Sequence, residues 1–210
     1  MQIERRFFEA DKVELRLAGE DDEPKKIVGY FARYNELSPT YGKFRERIAP
    51  GFFDEALGRD DIRALFNHDE SRLLGRNKSG TLRLRSDDAG LFGEIDPIPE
   101  TPTGSEVREN VRLGNLSGAS FAFSLAPDGD KWAKAADGVW ERTLIRAGQV
   151  YDVSVVTNPF YPTTNMGLRQ EVRSQLQTAF DEWAAAHPSE VVELLDRREL
   201  DECRLRLAGL

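Results

Sequence analysis

Two hydrophobic periods divide this chain. From the N-terminus to about residue 160, apolar residues come in short runs, several alternating with polar ones, and the runs end at Gly, Pro, Asp or Asn. A period of two places every second side chain on one face, so this stretch reads mainly as strands. Val13, Leu15 and Leu17 alternate with Glu14 and Arg16, and Ile27 to Ala32 forms a second run. Thr81 to Arg85 and Leu91 to Ile95 read as two strands joined by a turn at Asp87-Asp88-Ala89-Gly90. Ala119 to Leu125 and Val150 to Thr157 are the most β-like stretches. Two short helices interrupt them. Gly51 to Leu57 follows Pro50 and carries Phe52, Phe53, Ala56 and Leu57 at helical spacing; the second runs from Thr103 or Gly104 to about Leu113, with Val107 and Val111 four apart.

The period changes after Asn158–Thr164, whose Pro159 and Pro162 cannot sit in a central strand. Leu168, Val172, Leu176, Phe180 and Trp183 then recur at intervals of four, four, four and three, the stripe of an amphipathic helix. His187-Pro188-Ser189 breaks it, and Glu190 to Leu207 reads as a further helix. The expected fold class is therefore α+β and β-rich, with a helical C-terminal segment over 165–210.

At 210 residues the chain has room for a sizeable core, burying on the order of 70% of its unfolded surface. Its 40% hydrophobic residues exclude a disordered chain. Lys and Arg number 29 against 37 Asp and Glu, and the net charge of −8 argues against coating nucleic acid. The single cysteine, Cys203, excludes an intramolecular disulfide and a Cys-based zinc site, and with only His68 and His187 a His-rich metal site is not expected either. No apolar run is long enough for a membrane span, and the charged N-terminus is not a secretory signal, so the expectation is a cytoplasmic protein with a reduced thiol.

Phosphate-binding glycine loops and the GxSxG elbow are missing, which leaves a search for a nucleophile and a base. His68 follows the apolar Ala64–Phe66 run, and the end of a buried strand is a rigid mount for a general base; the plain alternative is a solvated loop histidine. Ser120 alternates with Phe121 and Phe123, so it shares a face with the small residues Ala122 and Ser124. Such a face leaves room beside a serine nucleophile, but equally suits a small residue packed under another element, and Ser117 and Ser124 compete for the role. Asp152 lies inside an apolar strand and needs a polar partner there; it could orient His68 or pair with an arginine.

Six stretches together carry a resemblance: VGYFARYNELS, FRERIAPGFFDEAL, IRALFNHDESRLLGR, GTLRLRSDDAGLFGEID, VRLGNLSGASFAF and YDVSVVTNPFYPTT. Each is weak alone, but their order and spacing over residues 27–164 are specific. The chain resembles the tailed-phage prohead proteases, a family related in fold to the herpesvirus assemblins. The resemblance implies that His68 of NHD is the general base and that Ser120 of SFAF is the nucleophile, with Ala122 where the family usually has glycine. It also implies that Asp152 of DVS is the third member, where the family often has glutamate. Glu141 and His187 are the weaker alternatives for that role, and Arg142 and Arg146 are candidate oxyanion donors.

The fold so implied is a closed β-barrel wrapped by a few helices over 1–164, with 165–210 as an interaction or self-processed tail. The implied function is a serine endopeptidase that cleaves scaffold, or the scaffold-like arm of the major capsid protein, and itself, inside the assembling procapsid in the host cytoplasm. No cofactor or metal is implied, nor any nucleic-acid or membrane partner. Self-association through the C-terminal helices is a further expectation. The rival is a non-enzymatic capsid-assembly or scaffold-like protein on the same fold, working through its helical tail.

Overall fold

The computed structural model describes residues 3–8, 15–18, 26–157, 166–194 and 205. The strands are β1 (Glu4–Phe8), β2 (Arg16–Ala18), β3 (Lys26–Arg33), β4 (Phe44–Ile48), β5 (Arg63–Phe66) and β6 (Asp69–Arg76), followed by β7 (Leu82–Ser86), β8 (Gly90–Ile95), β9 (Gly118–Leu125), β10 (Asp130–Lys134), β11 (Trp140–Leu144) and β12 (Ala147–Val156). The helices are α1 (Asp54–Arg59), α2 (Pro102–Arg112), α3 (Met166–Ala186) and α4 (Pro188–Leu194). The protein is thus β-rich α+β with few helices.

The strands form three sheets, ordered β1-β9-β12-β5-β6, β2-β3-β8-β7 and β10-β11-β4. In the first sheet β12 runs antiparallel to β9 and parallel to β5. Hairpin β7–β8 turns where the sequence predicts: the Asp87 carboxylate accepts from the backbone N–H groups of Ala89 and Gly90 at 2.9 and 3.2 Å, a side-chain-closed turn. Helix α2 is set by its first residues, with the Thr101 hydroxyl accepting from Gly104 N at 3.1 Å and Pro102 at the start of the helix. Gly104 is required there, because a Cβ would come within 1.9 Å of the Pro99 carbonyl.

The structure falls into two compact units. The first comprises Met1–Glu36, Arg47–Asp130 and Leu144–Tyr161. Its core draws Phe31, Leu91 and Ile95 from the four-stranded sheet and Phe121, Phe123, Val153 and Val155 from the five-stranded one. Phe52 and Phe53 join the same core: Phe53 meets Phe121 edge-on at 5.1 Å between centroids, and Phe52 meets Phe123 at 5.4 Å. Burying each such ring stabilises by about 1.5–3 kcal/mol, with edge-to-face geometry adding to that.

The second unit comprises Leu37–Glu46, Lys131–Thr143 and Pro162–Leu210. Along the α3 stripe Val172, Leu176, Phe180 and Trp183 are all buried. The Phe180 ring packs against Trp140, Trp132 and Phe44 at 4.7, 5.3 and 5.5 Å. The stripe is therefore covered by β4, β10 and β11 of its own unit, and the helical segment expected beyond residue 164 shares that unit with two strand-bearing segments. Arg142 is 1% exposed, with Glu46 3.6 Å away and its guanidinium 5.6 Å over the Trp132 ring.

Strands β1, β4, β6, β10 and β11 have no counterpart in the sequence-based assignment. ERRFF, FRERI, DESRLLGR, DKWAK and WERTL are too rich in charge to announce strands, and at β6 five of eight residues are exposed, as on a charged sheet edge. The boundary segment Asn158–Thr164, Cys203, the Val13 end of the first alternating run, the side chain of Leu168 and nearly all of the expected helix beyond Leu194 lie outside the described residues.

Candidate active site

His68 sits in a turn that its neighbours specify. Phe66 and Asp69 are register partners, so Asn67 and His68 are the two central residues of a tight hairpin between β5 and β6. Both have positive φ, +57° and +58°, as primed hairpin turns require, and Asn and His are among the residues that tolerate it best. Asn67 is tied to β12 from both sides. Its N–H donates to Val155 O at 3.0 Å, and its Oδ1 accepts from Thr157 N at 2.9 Å. The His68 N–H donates to Ser154 Oγ at 3.2 Å. The imidazole is held on a further side by Phe7 of β1, edge-on at 5.8 Å.

Ser120 and Asp152 come from neighbouring antiparallel strands. Ser154 of β12 lies opposite Ser120 of β9, and Asp152 lies opposite Ala122, so all four share one face. Between Val150 and Asp152 the register shifts, leaving Tyr151 as the extra residue of a β-bulge. The bulge explains how Val150 and Val153, three apart, are both fully buried in the core while Asp152 points the other way. The small-residue face expected to stand open beside Ser120 is covered instead: Ser120 and Ser124 have no exposed surface.

On that face the three residues join into one line. His68 Nδ1 lies 2.6 Å from Asp152 Oδ1, and His68 Nε2 lies 2.6 Å from Ser120 Oγ. A carboxylate only accepts, so Nδ1 carries the proton it donates to Asp152, and neutral Nε2 then accepts from the Ser120 hydroxyl. Asp152 is 7% exposed, and its Oδ1 also accepts from Ser154 Oγ at 2.7 Å. Ser154 is a site residue that the sequence did not single out; its place in the DVS run, two residues after Asp152 in a strand, was the available signal. The arrangement can do acyl transfer: a hydroxyl poised against a base whose other nitrogen is oriented by an acid.

Three of the competing residues, Ser124, Glu141 and His187, are engaged elsewhere. Ser124 Oγ accepts from the Tyr151 hydroxyl at 3.4 Å, Glu141 accepts from Arg45 Nε at 2.8 Å, and His187 stacks on Trp183 with its Nδ1 3.0 Å from the Trp183 carbonyl oxygen. Of the candidate oxyanion donors, Arg146 donates to Pro127 O at 2.7 Å, while Arg142 is the buried partner of Glu46. Among the described residues no group of three His, Cys, Asp or Glu side chains is placed to hold a metal ion, and no helix is long and apolar enough to cross a membrane.

The family model for the Caudovirus prohead serine proteases matches residues 11–178, which contain all of Ser120, His68 and Asp152. No curated protein matches the chain. Among solved structures, the bacteriophage T4 capsid assembly protease gp21 is similar over 76% of this chain and 100% of its own, at 12% identity and a TM-score of 0.43. With the family model spanning most of its length, this chain belongs to the Caudovirus prohead serine proteases and is a capsid-maturation protease.

Proposed function

We propose that Ser120, His68 and Asp152 are the catalytic triad of this protease. The observation that carries the proposal is the His68 imidazole, spanning Ser120 Oγ and Asp152 Oδ1 at 2.6 Å each. Ser120 Oγ attacks the scissile carbonyl as His68 Nε2 takes its proton. The imidazolium, stabilised by the Asp152 carboxylate, returns that proton to the leaving amine, and the acyl-enzyme is hydrolysed by the same relay through water. The substrates are the scaffold, or the scaffold-like arm of the major capsid protein, and the protease itself, cut within the procapsid in the host cytoplasm.

The proposal includes the closed barrel implied by the resemblance. It is supported by the single core that the five- and four-stranded sheets share, and by the close approach of β6 to β7, where a Cβ on Gly75 would lie 2.7 Å from the Thr81 carbonyl. Self-association through the C-terminal helices would use faces other than the α3 stripe, since that stripe is covered within the chain.

Coexpression with the cognate capsid protein tests the function. The wild-type chain should yield discrete capsid-protein fragments by mass spectrometry, and Ser120→Ala should yield none. Identical fragments from both would refute it.

A further inference from the structure

A buried hydroxyl beside the triad has no role in the relay just described. Ser154 has no exposed surface, and its Oγ sits where three groups converge. It donates to Asp152 Oδ1 at 2.7 Å, accepts from the backbone N–H of His68 at 3.2 Å, and lies 3.3 Å from His68 Nδ1. The same Asp152 oxygen receives both the imidazole and this hydroxyl. We infer that Ser154 is a positioning residue of the catalytic site, locking the Asp152 carboxylate and the His68 backbone into one rigid unit; the inference rests on the triad proposed above.

Two features of the fold give the hydroxyl this task. His68 occupies a left-handed turn conformation that histidine tolerates better than most residues, and its backbone N–H is held there by a side chain of the neighbouring strand. Neighbouring Asn67 donates its N–H to the backbone of β12, whereas the N–H of His68 donates to the Ser154 side chain. Asp152, for its part, resumes the ladder opposite Ala122 directly after the Tyr151 bulge; pairing fixes the face its side chain takes, and the direction of the carboxylate on that face is set by its side-chain partners. One oxygen answers both needs because a serine hydroxyl donates once and accepts twice. Ser154 is not a second nucleophile. Its proton is given to Asp152, and the His68 nitrogen beside it is the protonated Nδ1, which has no lone pair to take a proton.

A fluorophosphonate reagent tests this on the full-length chain without knowledge of the cleavage sequence. Ser120 Oγ bonds to phosphorus, fluoride leaves, and the serine proton passes to His68 Nε2, so the labelling rate reads nucleophile activation directly. Ser154→Ala should lower the maximal labelling rate by about 10- to 100-fold, the worth of a hydrogen bond to a charged group, while the reagent concentration at half-maximal rate stays unchanged. Ser154→Thr, which keeps the hydroxyl, should recover most of that loss. Ser154→Cys, close in volume but a weak donor, should fall between them. Wild-type labelling at Ser120 with Ser154→Ala labelled equally fast would overturn the positioning role and leave the triad standing. Label found on Ser154 would overturn it as well. A wild-type chain that takes label anywhere other than Ser120, or none, would sink the triad and this inference with it. Should neither Ser154→Ala nor Ser154→Cys fold by circular dichroism, Ser154 is a structural residue and the positioning role falls.

Discussion

Asp152 reaches the face that carries Ser120 because Tyr151, the residue before it, is a β-bulge against β9. An uninterrupted ladder keeps strict alternation, which would put either Val150 or Val153 on the wrong side of the sheet. One extra residue keeps both valines in the core and delivers a carboxylate to His68. Deleting Tyr151 should preserve cleavage, because Val150, Asp152 and Val153 then alternate in their present register against Phe123, Ala122 and Phe121. Cleavage lost with the fold intact by circular dichroism would mean that the bulge itself, and not only the register it preserves, aims the acid.

Asp152→Asn should reduce kcat by about 10⁴-fold with the fold intact, because an amide can present its own N–H to Nδ1 and favour the wrong imidazole tautomer. Asp152→Glu should retain part of the activity, since it keeps the charge and extends the reach by one methylene. Steady-state cleavage of a capsid-protein peptide separates the two. Full activity in Asp152→Ala would remove Asp152 from the site.

Ser120→Ala should lower kcat by roughly 10⁶-fold, the scale of loss when a nucleophile–base unit is broken. Its thermal unfolding should be little changed, because one buried oxygen is removed and His68 keeps its bond to Asp152. Ser124→Ala, altering a serine whose partner is the Tyr151 hydroxyl, should stay active.

His68→Ala should lose as much as Ser120→Ala, and the double variant should lose no more, since the two act as one unit. Activity should fall on acidification, because an imidazolium has no lone pair with which to accept the serine proton.

Phe180→Ala should destabilise the protein by about 3–5 kcal/mol, the cost of emptying a packed aromatic site. Its ring lies among Trp132, Trp140 and Phe44, so the loss should register as a shift in tryptophan fluorescence and a lower urea midpoint. An unchanged midpoint would mean that α3 is not held by its stripe.

The residues of the site were legible one by one in the sequence, and what joined them into one set was the resemblance, not the residue patterns themselves. The SFAF run shows a serine alternating with core phenylalanines, the NHD run shows a histidine at the end of an apolar strand, and the DVS run shows an acid inside one. Each pattern also fits a packed small residue, a loop histidine or an ion-paired aspartate, because alternation reports only which face a side chain takes. The strands rich in Arg and Glu stayed hidden for a related reason. In β4 and β11 every second position is buried, yet two of the buried positions are Glu46 and Arg142, which hydropathy reads as surface.

Local sequence determined the turn at His68, the capped start of α2, the core face of β9 and the stripe of α3. These depend on side-chain period and on what a residue's own backbone tolerates. Tertiary structure alone decided that Ser120, 52 residues from His68, would lie 2.6 Å from its imidazole, that Ser154 would stand across from Ser120, and that the α3 stripe would be covered by β4, β10 and β11. Register and bulges are set by how two strands fit each other over a shared core. That is a property of the pair, and neither strand carries it alone.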